Sequence, residues 1–399
     1  MPGFELFGDA EKKEVLDVLD SGILMRYGFD SLRNGHYKAK DLESEINKRF
    51  NVKYSQLTSS GTSAITMALA VSGIGSGDEV IIPSFTFVAS FEAIIMIGAV
   101  PVVVDIDETL TLDIESVENA ITDKTKAIMP VHMCGSMADM DALKRISDKY
   151  SLILIEDACQ AIGGTYKGKP LGTIGDLGCY SFDFVKTITC GEGGVVVTNN
   201  KEFALKLDNF SDHGHDHIGS DRGAELHPYI GYNFRISELN AAVGLAQFRR
   251  IDEFLNIQKL NYTIIKNNLE GIKNITFRKI PSGGIESYSF LNFFLEDIAI
   301  AREVIKSFAL SGIDSCFHYF DNNWHYIRNW NHLKQIKSLY PLSDDLNKGL
   351  SNLKDKDFSK SDNFIGRNIS CLIKLSWSKE EVNRRAKLME NCIKNVINS

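Results

Sequence analysis

The feature that most limits the fold of this chain is an alternation that begins near residue 60. Short β-branched runs bounded by turn residues are separated by stretches of helical spacing. Residues 79–82, 101–104, 126–129, 152–155, 178–182 and 195–198 read as strands, and 62–71, 88–97, 139–149 and 202–209 as helices. Parallel strands need crossover connections, so the pattern predicts an α/β fold with a largely parallel sheet covered on both faces. A long helical pattern from Ser237 to about Glu270 leads into a second set of elements at 275–278, 288–295, 302–310 and 314–319, closed by a helix over 379–395. These predict a large domain over 1–250 and a smaller C-terminal α+β domain over 251–399. The stretch 341–362, rich in Asp, Asn, Ser and Lys, reads as a surface excursion.

Composition excludes several classes of function. The 399 residues carry a formal net charge of −8, which speaks against nucleic-acid binding, because phosphate contact needs clustered cations. The most apolar stretch, 80–104, is long enough to span a bilayer but is interrupted by Pro83, Glu92, Gly98 and Pro101, so no membrane insertion is expected. The opening residues have neither a basic n-region nor an apolar h-region, and a cytoplasmic chain is the expectation. The 7 cysteines are widely spaced with no Cys-x-x-Cys pair, which predicts reduced, mostly buried thiols.

Four segments carry the chemistry. In the first, the apolar run 152–155 ends in Glu156-Asp157-Ala-Cys-Gln160. A carboxylate at the carboxyl end of a parallel strand faces the crevice where open α/β sheets bind ligands, although such an Asp also serves as a helix N-cap. In the second, Lys186 lies between two strands in a segment of Thr, Cys and Gly, followed by Gly191-Glu-Gly-Gly194. A lysine outside any charge run suits imine chemistry, and an upstream acid is what pyridoxal phosphate requires at its ring nitrogen. A surface lysine on a Gly-rich turn is the alternative. The third segment, Thr58-Ser-Ser60-Gly61-Thr62-Ser-Ala64, opens a helix and offers hydroxyls and free N–H groups to an anion, or simply caps that helix. It lacks the Gly-Lys-Ser/Thr ending of a P-loop. The fourth, Pro83-Ser-Phe-Thr-Phe87, follows a strand and could stack an aromatic on a planar ring or pack it into the core.

In this order, together with Gly231-Tyr-Asn233-Phe-Arg235-Ile-Ser-Glu238, these segments resemble the DegT/DnrJ/EryC1/StrS sugar aminotransferases. The resemblance runs over nearly the whole chain. It implies fold type I of the pyridoxal-phosphate enzymes, an aspartate aminotransferase-like three-layer sandwich, and a homodimer with shared active sites. It further implies Lys186 as the Schiff-base lysine, Asp157 as the partner of the pyridine nitrogen and Gln160 at the phenolic oxygen. Phe87 would stack on the ring, and Gly61, Thr62 and Ser181 would hold the phosphate, joined by Asn233 of the neighbouring subunit. Relatives with histidine in place of this lysine are dehydratases, so Lys186 favours amino transfer. The implied amino donor is L-glutamate, leaving as 2-oxoglutarate.

Segments outside that shared set narrow the resemblance. The opening eight residues, the block 211–225 with His213, His215, His217 and Arg222, and Asn322-Asn-Trp324-His325-Tyr326 resemble the branch that aminates carbon 8 of an oxidised Kdo, the eight-carbon acid of the lipopolysaccharide core. An acidic keto-sugar calls for cations and donors, which Arg26, His213, His215, Arg222, Arg235 and His325 could supply. A nucleotide-linked keto-hexose as acceptor and a catalytically silent cofactor-binding regulator are the alternatives. In an extended segment His213, His215 and His217 would share a face, but no ligand set completes a metal site, and none is expected.

Overall fold

The computed structural model describes residues 3–219 and 222–398; Met1, Pro2, Ser220 and Asp221, which fall within the segments above, lie outside them. Seven strands form the main sheet: β1 Tyr54–Thr58, β2 Glu79–Pro83, β3 Val100–Val104, β4 Thr125–Ile128, β5 Ile153–Asp157, β6 Leu177–Ser181 and β7 Gly194–Thr198. Their order is β1-β7-β6-β5-β4-β2-β3. Strands β2 to β6 pair in parallel, whereas β7 runs antiparallel to both β6 and β1. The expected strands are all present within a residue or two. Strand β1 was not anticipated, because Tyr-Ser-Gln-Leu-Thr has no β-branched apolar run and pairs through its backbone with β7.

Alternation along the strands makes this a three-layer structure. Val80 and Ile82 enter one core cluster while Ile81 enters the other, and Val196 likewise faces away from Val195 and Val197. One face is covered by the helices Gly61–Val71 and Val88–Met96, the other by Lys38–Phe50, Met140–Tyr150 and Glu238–Arg249. Truncating a fully buried strand residue such as Leu154 to alanine would cost about 2–5 kcal/mol.

The predicted long helix is two. Glu238–Arg249 ends at Arg250, whose ψ of 8° leaves helical geometry, and Ile251–Leu269 sets off again from there. Ile251–Leu269 packs with Lys379–Ile397 in a third core cluster against a four-stranded antiparallel sheet. That sheet comprises β8 Thr276–Phe277, β9 Phe290–Phe294, β10 Cys316–Phe317 and β11 Asn368–Leu372, in the order β8-β9-β11-β10. The stretch 341–362 is not a surface excursion. Its helix Asp344–Lys354 buries Leu346, Leu350 and Leu353 against the same cluster as Val100 and Val103, the leucines repeating at helical spacing among polar residues.

Candidate active site

The carboxyl ends of β1, β2, β5 and β6 open onto a cavity of about 430 Å³. This is the crevice predicted for a ligand in an open α/β sheet. Gly61, Thr62, Phe87, Asp157, Gln160, Ser181, Lys186 and His325 all line it. Residues as far apart in the chain as Gly61 and His325 therefore converge, most of them because they sit at or just past a strand end.

Close approach of three segments shapes one side. Ser60 caps the helix Gly61–Val71 by accepting from the Ser63 N–H at 3.0 Å, so the next N–H groups face the cavity. A Cβ on Gly61 would lie 2.7 Å from Ser181 Cβ, and one on Gly194 would run into the carbonyl of Ser60. Glycine at both positions lets β6, β7 and the helix start meet. The resulting cradle of hydroxyls and backbone N–H groups fits a phosphate.

Opposite it, Asp157 is buried at the end of β5. Its Oδ2 accepts the Ser90 hydroxyl at 2.6 Å and its Oδ1 the Cys159 N–H at 3.1 Å. Ser90 in turn bonds Thr86 at 2.6 Å. Motif reading missed both hydroxyls, although their i, i+4 spacing at the start of the helix Val88–Met96 puts them on one face. Gln160 Oε1 accepts the Cys134 N–H at 3.1 Å, which leaves its amide nitrogen 3.4 Å from His325 Nε2. Burial, and then the positive charge of Lys186, push the His325 imidazole down to about 3, so the ring is neutral. Its Nδ1 is buried without a partner. Phe87 and Tyr319 flank that ring at centroid distances of 5.6 and 4.7 Å. Tyr319, Phe290, Phe317 and Leu372 also line the cavity and belong to no motif, since only the tertiary fold brings them there.

Lys186 enters from the loop between β6 and β7, which Asp183 tightens by accepting the Lys186 N–H at 3.0 Å. It is the one Lys or Arg in the cavity lining among the described residues, beside Asp157, Asp183 and Glu192.

The remaining sequence candidates lie elsewhere in this chain. Arg26 bonds the Leu57 carbonyl at 3.0 Å and Glu43 at 2.8 Å. Arg235 and Arg222 are both drawn to the buried carboxylate of Asp212, as are Tyr27 and His217. Asn233 is exposed and bridges Asp212 through its backbone. His213 and His227 lie at a shallow surface hollow, and His215 faces Glu225 at 2.8 Å. The segment is not extended: His213, Gly214 and His217 have positive φ, so the three histidines do not share a strand face. Among the described residues no group of three or more His, Cys, Asp or Glu could hold a metal ion, and no helix is long and apolar enough to cross a membrane.

Residues 7–357 match the profile of the DegT/DnrJ/EryC1/StrS aminotransferase family. The chain belongs to this family. It is 43% identical over 205 residues to GDP-perosamine synthase of Caulobacter vibrioides, a match over 51% of this chain and 54% of that protein, so it spans about half the length of this relative. It is 34% identical over 336 residues to GDP-perosamine synthase of Vibrio cholerae, covering 84% of this chain and 88% of that one. The aminotransferase from Psychrobacter cryohalolentis superposes with a TM-score of 0.84 over 98% of both chains at 27% identity. A DegT/DnrJ/EryC1/StrS enzyme of this fold is a sugar aminotransferase dependent on pyridoxal 5′-phosphate. The donor set fits that cofactor: a hydroxyl-rich helix start, a buried carboxylate, an aromatic and a lysine around one cavity.

Proposed function

We propose that this cavity moves the amino group of L-glutamate onto oxidised Kdo (3,8-dideoxy-8-oxo-manno-octulosonate), giving 8-amino-3,8-dideoxy-manno-octulosonate for lipopolysaccharide and releasing 2-oxoglutarate. The observation that carries the acceptor is the placement of Trp324 and His325. The segment that resembles the carbon-8 branch lines the same cavity as Lys186.

Residues 1–250 would hold the cofactor and 251–399 would cap it. Gly61, Thr62 and Ser181 would take the phosphate, Phe87 the ring face and Gln160 the phenolic oxygen. Bound there, pyridoxal 5′-phosphate supplies an electron sink next to the carbon that exchanges its amine. Asp157, fixed by Ser90 and Cys159, keeps a proton on the ring nitrogen. The Lys186 amine moves a proton at the substrate carbon. His325 stays neutral beside it and adds no second positive charge.

Glutamate and Kdo are both anions, yet the lining offers one cation. A second copy of the chain would complete the site of a homodimer through its Asn233 at the cofactor phosphate, while Arg235 stays with Asp212.

A nucleotide-linked keto-hexose is the second reading, favoured by the identity to GDP-perosamine synthases. An assay of 2-oxoglutarate release from glutamate, with oxidised Kdo against a nucleotide-linked keto-hexose, separates the two. Preference for Kdo supports the first reading, and preference for the nucleotide sugar overturns it.

A further inference from the structure

A buried arginine of the smaller unit grips a turn that lies behind the cavity lining and bonds Gln160. Arg278 follows β8 and is 6% exposed. Its guanidinium donates to two consecutive carbonyls, Met133 at 2.8 Å and Cys134 at 2.9 Å, and to Glu286 at 2.9 Å. Glu286 also accepts the Tyr262 hydroxyl. The turn that Arg278 grips is unusual: Cys134 is a buried non-glycine residue with φ of 54° and ψ of 36°. That left-handed conformation is unfavourable for a side chain and persists only where its surroundings impose it.

Two further contacts hold the turn. The Ser287 N–H donates to the Gly135 carbonyl at 2.8 Å, and a Cβ on Gly135 would strike the hydroxyls of Ser287 and Ser289. The Cys134 N–H, aimed by this conformation, meets Gln160 Oε1 at 3.1 Å. An amide whose oxygen is already engaged presents its NH₂ as a donor on the other side.

We propose that Arg278 is a positioning residue for the cofactor. Through the Met133–Cys134 backbone it fixes which end of Gln160 faces the cavity, and so couples the smaller unit to the electronics of the ring. This rests on the reading of Gln160 as the donor to the phenolic oxygen. Arginine is needed because its planar fork spans two carbonyls and a carboxylate together, which a lysine ammonium cannot do.

The test uses the protein loaded with pyridoxal 5′-phosphate and follows the pH midpoint of the cofactor's visible band. A donor to the phenolic oxygen withdraws charge that would otherwise hold a neighbouring proton, so its loss moves the midpoint up. Gln160→Ala is expected to raise it by roughly 0.5 to 1 pH unit. Arg278→Lys, which keeps a cation beside Glu286, raises it in the same direction, and the double variant shows no further rise. In the cofactor-free protein Arg278→Lys also speeds hydrogen exchange at the Cys134 amide. Arg278→Met with Glu286→Gln, which removes both buried charges together, gives the same two results.

A Gln160→Ala shift with an unmoved midpoint in the folded Arg278 variants overturns the role of Arg278 alone. So does an additive double variant. An unmoved midpoint in Gln160→Ala overturns the reading of Gln160 and this inference with it.

Discussion

Two regions of this molecule, both rich in polar side chains, use them in opposite ways. The cavity at the strand ends gathers one lysine, three carboxylates, a neutral histidine and several aromatics around open space. The cluster around Asp212 gathers Arg222, Arg235, His217 and Tyr27 around a single buried carboxylate. Burial alone would push the Asp212 carboxyl up, but the His217 hydrogen bond and the charges of both arginines outweigh it and hold the group below its ordinary range. In the first region the polar groups face space for a ligand, and in the second they face one another. The residue types are alike, and what separates reactivity from stability is whether partners are already satisfied.

That contrast predicts a separation of effects. Lys186→Ala should reduce amino transfer by roughly 10²–10⁴-fold. It should leave the unfolding free energy of the cofactor-free protein within about 0.5 kcal/mol of wild type, measured by denaturant titration. A large loss of stability would break the comparison from the cavity side. Asp212→Asn should do the reverse, costing about 1–3 kcal/mol, because the amide keeps one acceptor but leaves two partly exposed arginines without their buried carboxylate. The cofactor's visible absorbance maximum should stay where it is, and a moved maximum would join the two regions.

Two pH measurements sharpen the comparison further. His325 is held neutral with its pKa down at about 3, below the ordinary value near 6.5, so the unfolded chain binds the extra proton first. Its burial therefore costs stability as pH falls from about 6.5 toward 3, and His325→Phe should flatten the acid limb of the stability curve. An unchanged limb would contradict the neutral ring. The His217 ring is raised instead, by its 2.9 Å hydrogen bond to Asp208 against the opposing effect of burial. Its contribution is fully present below about pH 6.5 and is lost as pH rises through the raised value. The stability gap between wild type and His217→Gln, under about 1 kcal/mol, should close on the alkaline side.

The two regions also differ in how far they could be read from the chain. Asp157, Gln160 and Lys186 were legible because each follows a strand whose apolar run is visible, and strand ends meet in a parallel sheet, whereas the Ser60–Thr62 turn was legible from its hydroxyls and glycine at a helix start. Tyr319 and Leu372 were not, since they enter the cavity by packing between segments distant in sequence. The cations Arg26, Arg222 and Arg235 were read as open for an anion. A sequence lists charges but not their partners, and Glu43 and Asp212 already engage them within this chain. The fold shows the same boundary. Aliphatic strands announced themselves, whereas β1 is defined by its pairing and Asp344–Lys354 by three leucines among polar neighbours.

On the proposed reading, the strand-end cavity holds the cofactor and Lys186 binds it covalently. Borohydride reduction of the protein loaded with pyridoxal 5′-phosphate, followed by peptide mass mapping, tests this most directly. A single pyridoxyl adduct on Lys186, lost in Lys186→Ala, is expected. A specific adduct on any other lysine, or none, would contradict it.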